Sequence, residues 1–261
     1  MPPIPRQIAD VVIQGQWSRT LQDRRFLIEC NNADGIAVFA SSHSLRALGE
    51  CTQMYIDATF KSAPQPYNQL FVVHGYFQDR AVPMAFALMA GRTQVKYDAV
   101  WTSLKTTYRR LTNQDLSPTR VVSDYEQAMC NAVRTAFPNA TLQGCFFHLS
   151  QAIIRKVKAV GLGAQYRRDR RLKLVIKKII AVAYLPIPHV HANFERLVRA
   201  SAALIRRLPN LLRVFNYFRQ TYITSRRYPL AMWNVYDRDM ENRTNNYAES
   251  KLYIIIYLHF F

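Results

Sequence analysis

Two aspartates, each at the end of an apolar run, carry the chemistry that this sequence suggests. Asp57 stands in IDATFK at 56–61, and Asp124 stands in VVSDYE at 121–126. Both runs are typical of buried strands, where a carboxylate costs several kcal/mol unless a cation or hydrogen bonds compensate it. Two such side chains that converge can hold a divalent metal. With Glu249, in RTNNYAE at 243–249, they indicate metal-dependent phosphoryl transfer on DNA.

The predicted elements around these aspartates follow a regular order from residue 52 onward. We predict three strands, a helix, a strand, a helix and a strand, at 53–58, 69–76, 82–90, 96–111, 119–123, 125–136 and 140–145. This βββαβαβ order, with an aspartate on the first strand and another after the fourth, is the ribonuclease H-like α/β layout. The first and fourth strands are neighbours in it, so we expect Asp57 and Asp124 to lie within roughly 4–8 Å of each other.

After residue 146 the pattern changes to helices in which apolar residues alternate with Lys and Arg. We predict helices at 147–160, 172–183, 191–207 and 211–221, separated by Gly and Pro. The sequence therefore predicts a ribonuclease H-like mixed sheet with a basic all-helical insertion before the helix that carries Glu249. The expected parts are an α+β segment, the core, the helical insertion and a truncated C-terminal part of the core, at 1–50, 51–146, 147–232 and 233–261.

The positive charge of the chain is concentrated in this insertion. The formal net charge is +18, and residues 145–230 hold 18 Lys and Arg against two acidic residues. A localised basic surface is typical of proteins that bind nucleic acid. A solvated helical face, or a surface that binds an acidic protein, would have the same composition. The candidate DNA-binding residues are Arg155, Lys156, Lys158, Arg167, Arg168, Arg170, Arg171, Lys173, Lys177 and Lys178.

The remaining composition excludes other classes of protein. An apolar fraction of 49% favours a folded core over disorder. The four cysteines form no CxxC pair, so a disulfide scaffold is not expected. The longest apolar run, at 252–261, is too short for a convincing membrane span, and we expect no membrane association.

Five segments together resemble the transposase domain of Mutator-like elements, the MULE domain. They are IDATFK at 56–61, QLFVVHG at 69–75, SDYEQA at 123–128, GCFFH at 144–148 and RTNNYAE at 243–249. The resemblance covers about residues 50–250. It implies a DDE-type transposase that cleaves DNA strands and transfers them.

The resemblance also implies roles for individual residues and partners. Asp57, Asp124 and Glu249 are the expected catalytic and metal-binding residues, with two Mg²⁺ or Mn²⁺ ions. The partners expected are double-stranded DNA, as transposon ends and target, and further copies of the chain in an active homo-oligomer. The expected location is the nucleus.

Further residues near these motifs have alternative interpretations. Cys145 and His148 form a CxxH pair, but no second pair follows at zinc-finger spacing. We interpret them as a half-buried cysteine and a hydrogen-bonded histidine near the active site, rather than as zinc ligands. Glu126, two residues after Asp124, is either an auxiliary carboxylate or a surface helix residue. His74, on an apolar strand, is interpreted as a core or edge histidine.

Two other functions remain open at this stage. A domesticated or decayed transposase would bind DNA as a regulator without catalysis. A ribonuclease H-like nuclease would cleave without strand transfer, but it would not need a long basic insertion.

Overall fold

The computed structural model describes residues 5–60, 62–78 and 80–238. Glu249 therefore lies outside the described residues. Within them the chain forms seven strands and ten α-helices. The strands are β1 (Leu27–Asn31), β2 (Ile36–Phe39), β3 (Gln53–Thr59), β4 (Gln69–Phe77), β5 (Arg80–Met89), β6 (Arg120–Ser123) and β7 (Thr141–Gly144). The helices are α1 (Ser42–Glu50), α2 (Gln94–Thr112), α3 (Gln127–Ala136), α4 (Phe146–Ala159), α5 (Gly163–Arg168), α6 (Arg170–Ala181), α7 (Ile187–Ala200), α8 (Ala202–Arg207), α9 (Asn210–Phe218) and α10 (Leu230–Trp233).

The seven strands form one mixed sheet in the order β1-β2-β5-β4-β3-β6-β7. The pairs β1–β2, β2–β5, β5–β4 and β4–β3 are antiparallel, whereas β3 and β6 are parallel. From β3 onward the elements follow the predicted βββαβαβ order. The predicted ribonuclease H-like α/β fold is confirmed, including the adjacency of its first and fourth strands.

The first 50 residues contribute to this same sheet. β2 pairs with β5 in antiparallel register from Ile36 opposite Met89 to Phe39 opposite Phe86. β1 then adds to the outer edge of β2. We expected a separate small segment; it does contain two strands and a helix, but its strands extend the core sheet because β5 offers an open edge.

One face of the sheet packs against α1, α2 and α3. Ile36 and Val38 of β2, Ile56 of β3 and Val121 of β6 join the core cluster on that face. Neighbouring residues point the other way because side chains alternate along a strand. Ser41 caps α1 in a reciprocal capping box with Ser44, which fixes where this helix begins.

His74 belongs to the buried interior of the sheet. Its side chain is 1% exposed, and it stands opposite Tyr55 in the register of β4 with β3. The interpretation as a core histidine is confirmed. Burial in this position lowers the pKa of His74 to about 4.

The contacts divide the chain into two compact units, with the boundary between Leu142 and Gln143. After the end of β7, the regular elements of the second unit that the structure describes are helices, but their boundaries differ from the expected ones. The helix expected at 191–207 is two helices, α7 and α8, divided at Ser201, whose hydroxyl donates to the carbonyl of Leu197 (2.8 Å). The short α5 was not predicted, because its six residues are too few to show a period.

The last residues of the second unit that the structure describes are anchored in its own core. The indole N–H of Trp233 donates to the carbonyl of Tyr222 (2.9 Å), and the Trp233 side chain is fully buried. The buried guanidinium of Arg238 donates to the carbonyls of Gly144 (2.8 Å) and Met232 (2.6 Å). Arg238, which follows the helices, therefore contacts Gly144, which lies two residues before the first of them. In the part of the chain described, no helix is long and apolar enough to span a membrane.

Candidate active site

The parallel ladder between β3 and β6 brings the two aspartates together. Gln53 stands opposite Arg120, Met54 opposite Val121 and Tyr55 opposite Val122. The paired register ends at Tyr55 and Val122, two residues before Asp57 in β3 and two residues before Asp124, which directly follows β6. The two aspartates are 67 positions apart in the sequence, yet they belong to neighbouring strands or to the residue just after one.

Asp57 is held on the sheet face opposite the main core. Its neighbours Ile56 and Ala58 both pack against the core cluster, so alternation directs the Asp57 side chain to the other face. The backbone N–H of Ala58 donates to Oδ1 of Asp57 (2.9 Å). Asp57 is half-buried, which leaves part of its surface accessible to solvent or to a ligand.

Asp124 is fixed by a compact turn between β6 and α3. The Ser123 hydroxyl (2.9 Å) and the Cys130 thiol (3.5 Å) both approach the carbonyl oxygen of Asp124. The backbone N–H of Glu126 donates to the carboxylate oxygen Oδ1 of Asp124 (2.8 Å). These hydrogen bonds set both the backbone and the carboxylate of Asp124, which is also half-buried. In the sequence, the signal for this turn is the close spacing of Ser123, Asp124 and Glu126.

Glu126 is part of a hydrogen-bonded chain that extends from the core. Its carboxylate oxygen Oε1 accepts from the hydroxyl of Tyr97 (3.0 Å). The same hydroxyl accepts from the side-chain amide of Gln69 (3.1 Å). Tyr97 and Gln69 are both fully buried. Of the two interpretations of Glu126, the auxiliary one has structural support, since a surface helix residue would not make these contacts.

Burial and three neighbouring groups shift the pKa of the Glu126 carboxyl in different directions. Burial is the largest influence and raises the pKa of the Glu126 carboxyl above its ordinary value. The hydrogen bond from Tyr97 opposes this rise in pKa, the negative charge of Asp124 adds to it, and the positive charge of Arg92 opposes it. Glu126 therefore lies within electrostatic reach of Asp124 and of Arg92.

Arg92 is a candidate site residue that belongs to none of the motifs. Its guanidinium lies over the ring of Phe60, 5.1 Å from the centroid. Phe60 follows β3, three residues after Asp57, and Arg92 is exposed. A guanidinium held by an aromatic ring beside carboxylates can bind a phosphate in a fixed direction. No sequence signal identified it, because the contact depends on the packing of two separate loops.

The carboxylates present suit a hard divalent cation. Oxygen ligands on neighbouring strands fit Mg²⁺ or Mn²⁺ better than they fit zinc. Across residues 5–60, 62–78 and 80–238, no group of three or more His, Cys, Asp and Glu side chains is arranged to hold a metal ion. The two aspartates therefore supply part of a ligand set, and the expected third member, Glu249, is outside these ranges.

Cys145 and His148 lie at the start of α4, in the second unit. Cys145 is buried and occupies the N-cap position, with its thiol in the reduced state. His148 is half-buried in the first turn, and its ring meets that of Phe147 edge to face (5.7 Å). Their expected role as auxiliary residues near the active site stays a prediction.

The basic residues of the second unit divide into exposed and engaged side chains. Nine of the ten candidates are exposed, namely Arg155, Lys158, Arg167, Arg168, Arg170, Arg171, Lys173, Lys177 and Lys178. α6 buries Leu172, Ile176 and Ile179 and leaves its Lys and Arg on the outer side. Lys156 is different, because it is half-buried with its ammonium over the ring of Tyr217 (5.3 Å).

Other charged groups of the second unit are used internally. Asp169 caps α6 by accepting from the backbone N–H of Arg171 (2.8 Å) and Leu172 (3.1 Å), and its second oxygen pairs with Arg207. Arg219 makes a two-pronged contact with Glu195, at 3.0 Å from each oxygen. The exposed Lys and Arg residues are thus the part of this charge that remains for an external partner.

The comparisons with known proteins agree with the resemblance seen in the motifs. A family model described as the MULE transposase domain matches residues 53–152. The match extends from the first residue of β3 into α4, and it includes Asp57, Asp124, Cys145 and His148. No curated protein gives a significant match to the chain. The segment that carries both aspartates is therefore similar to a MULE transposase domain, as the motifs predicted.

Proposed function

We propose that this chain is a DDE-type transposase that cleaves DNA strands at transposon ends and joins them to target DNA. The observation that supports the proposal is the parallel pairing of β3 and β6 within the matched transposase segment, with Asp57 and Asp124 each two residues beyond the last pair of that ladder. Two carboxylates near the same end of a parallel strand pair suit the binding of divalent ions. The proposal includes Glu249 as the third carboxylate, by match of motif.

The roles of the residues follow from their chemistry. Asp57, Asp124 and Glu249 would hold two Mg²⁺ or Mn²⁺ ions and fix their positions. Such ions lower the pKa of an attacking water or 3′-hydroxyl and stabilise the leaving oxygen. Asp124 keeps its direction through the N–H of Glu126, and Asp57 through that of Ala58. Arg92 would neutralise a phosphate next to these carboxylates.

The exposed Lys and Arg residues of the helical unit are proposed to bind the DNA backbone. Phosphate neutralisation by such residues is independent of base sequence and sensitive to salt. We also propose a homo-oligomer as the active form, a nuclear location, and auxiliary roles for Cys145 and His148. Lys156 contributes less to DNA binding, because its ammonium is engaged with Tyr217.

Cleavage of a DNA duplex that carries the element's own terminal repeats tests the proposal. Wild type should nick this duplex with Mg²⁺ or Mn²⁺, whereas Ca²⁺ should support binding with little turnover, because its coordination is looser. Asp57→Asn and Asp124→Asn should each abolish nicking and retain DNA binding in a parallel gel-shift assay. Binding without cleavage by the wild type would favour a DNA-binding regulator. Wild-type rates in both variants would refute the assignment of the aspartates.

A further inference from the structure

We infer that Tyr97 is a positioning residue for Asp124, acting through Glu126. The inference rests on the proposed metal-dependent function and adds a residue that lies outside the three carboxylates. Its basis is a continuous chain of hydrogen bonds from Gln69 to Tyr97, Glu126 and Asp124. All four residues belong to the first compact unit.

The inner end of this chain is fully buried. Tyr97 has no exposed surface, and its ring meets that of Phe71 edge to face, with centroids 5.4 Å apart. Gln69 is equally buried, and its amide nitrogen also approaches the carbonyl of Gly91 (3.3 Å). The hydroxyl of Tyr97 accepts from the Gln69 amide (3.1 Å), and its shorter contact as a donor is to Glu126 (3.0 Å), compared with 3.5 Å to the amide oxygen of Gln69.

The outer end of the chain transmits this position to the aspartate. The Glu126 side chain is tied to Tyr97 (3.0 Å), while the Glu126 backbone N–H donates to Asp124 Oδ1 (2.8 Å). Glu126 is also the N-cap residue of α3, so its position sets the direction in which the turn leaves β6. Restraint of the Glu126 carboxylate therefore restrains the Asp124 carboxylate.

A purely structural role explains this arrangement less well. Glu126 could point to solvent from the N-cap position of α3. Instead its side chain is half-buried, and its carboxylate accepts from a tyrosine hydroxyl whose side chain is fully buried. Groups that hold a metal ligand in place commonly raise metal affinity by 10- to 100-fold. A buried hydroxyl that fixes Glu126 in this position fits such a role.

Calorimetric titration of the full chain with Mn²⁺ tests the inference. Tyr97→Phe removes only the hydroxyl and keeps the ring in the core, and we expect Mn²⁺ binding to weaken by about 10-fold. Tyr108→Phe is the matched control, because Tyr108 is a second buried tyrosine on α2. We expect Mn²⁺ binding of this control to equal that of the wild type.

Hydrogen exchange separates positioning from general stability. In Tyr97→Phe we expect faster exchange of the Glu126 amide and its neighbours in the turn, with the β3 and β4 amides unchanged. Equal acceleration across the sheet would indicate a general loss of stability and would overturn the inference. Wild-type Mn²⁺ affinity in Tyr97→Phe would overturn it as well.

Two substitutions of Glu126 complete the test. Glu126→Gln keeps a side-chain oxygen that can accept from Tyr97, so it should weaken Mn²⁺ binding less than Glu126→Ala does. Equal reductions in both variants would show that the charge of Glu126 acts directly, which overturns a positioning role. If Asp124→Asn binds Mn²⁺ as the wild type does, the proposed metal site fails together with this inference. Weakened Mn²⁺ binding in Asp124→Asn with none in Tyr97→Phe refutes the inference alone.

Discussion

Tyr55 pairs with Val122 in the parallel ladder of β3 and β6, and Asp57 and Asp124 each follow two residues later. This adjacency comes from the crossover through β4, β5 and α2, which returns the chain beside its first core strand. Both aspartate side chains are half-buried. A divalent cation held by them, as the proposed function requires, would bind the folded chain and not the unfolded one.

Mg²⁺ should therefore stabilise the folded chain. At a concentration about 100 times its dissociation constant, a ligand that binds only the folded state adds about 2.7 kcal/mol to the free energy of unfolding. We expect Asp57→Asn and Asp124→Asn each to lose most of this increment. Thermal unfolding with and without Mg²⁺ measures it without any need for DNA cleavage.

The control for this measurement is Asp115→Asn. Asp115 is exposed and pairs with Arg109 on the surface. Its removal should leave the Mg²⁺ effect unchanged. If the increment is the same in all three variants and the wild type, the ion binds elsewhere, and the two aspartates do not form a metal site.

DNA binding should depend strongly on salt through the exposed basic residues of the second unit. With 6–10 phosphate contacts, affinity should fall by about 10³–10⁵ between 50 and 200 mM salt. Replacement of Arg167, Arg168, Arg170 and Arg171 by Ala should flatten the slope of log K against log salt by about 1 for each arginine that binds a phosphate. Fluorescence anisotropy at several salt concentrations gives this slope.

A second fourfold variant separates a specific surface from overall charge. Arg196, Arg199, Arg206 and Arg213 are also exposed, and their replacement by Ala removes the same charge. We expect a smaller change in slope for this variant. Equal changes would mean that net charge alone governs binding, and an unchanged slope in the first variant would make its arginines a solvated face.

The anchor at Arg238 should be important for stability of the helical unit. Arg238→Met leaves the buried carbonyls of Gly144 and Met232 without this donor, which costs about 1–3 kcal/mol for an unsatisfied buried group. Urea unfolding measures the change in the free energy of unfolding. Arg227→Met, at an exposed position, should have little effect. Equal stability of the two variants would contradict the anchoring role.

The catalytic frame could be predicted from the sequence because its signals are local or periodic. The apolar runs of β3 and β6 and the periodicity of α2 are visible in the sequence, and the βββαβαβ order then makes β3 and β6 neighbours. The division of the helix at Ser201 was not predicted, because the apolar pattern continues across it and no Gly or Pro marks it.

The parts of the candidate site that were missed depend on tertiary contacts. In the sequence, Tyr97 cannot be distinguished from the other apolar positions of α2. Only the folded chain shows that its hydroxyl is bonded to Glu126. Arg92 lies over Phe60 although 32 residues separate them. Neither contact has a spacing rule, so composition and periodicity carry no information about them.

His74 should make the stability of the fold depend on pH. Its pKa is about 4 in the folded chain, compared with about 6.5 for an ordinary histidine. Between these values the unfolded chain binds a proton that the folded chain does not, so the free energy of unfolding falls as pH drops from about 6.5 to about 4. The full decrease is about 3 kcal/mol.

His74→Gln should remove this part of the pH dependence, whereas His43→Gln, at an exposed position, should keep it. Urea unfolding at pH 7, 5.5 and 4.5 compares the three proteins, and a wild-type pH slope in His74→Gln would show that other groups control it.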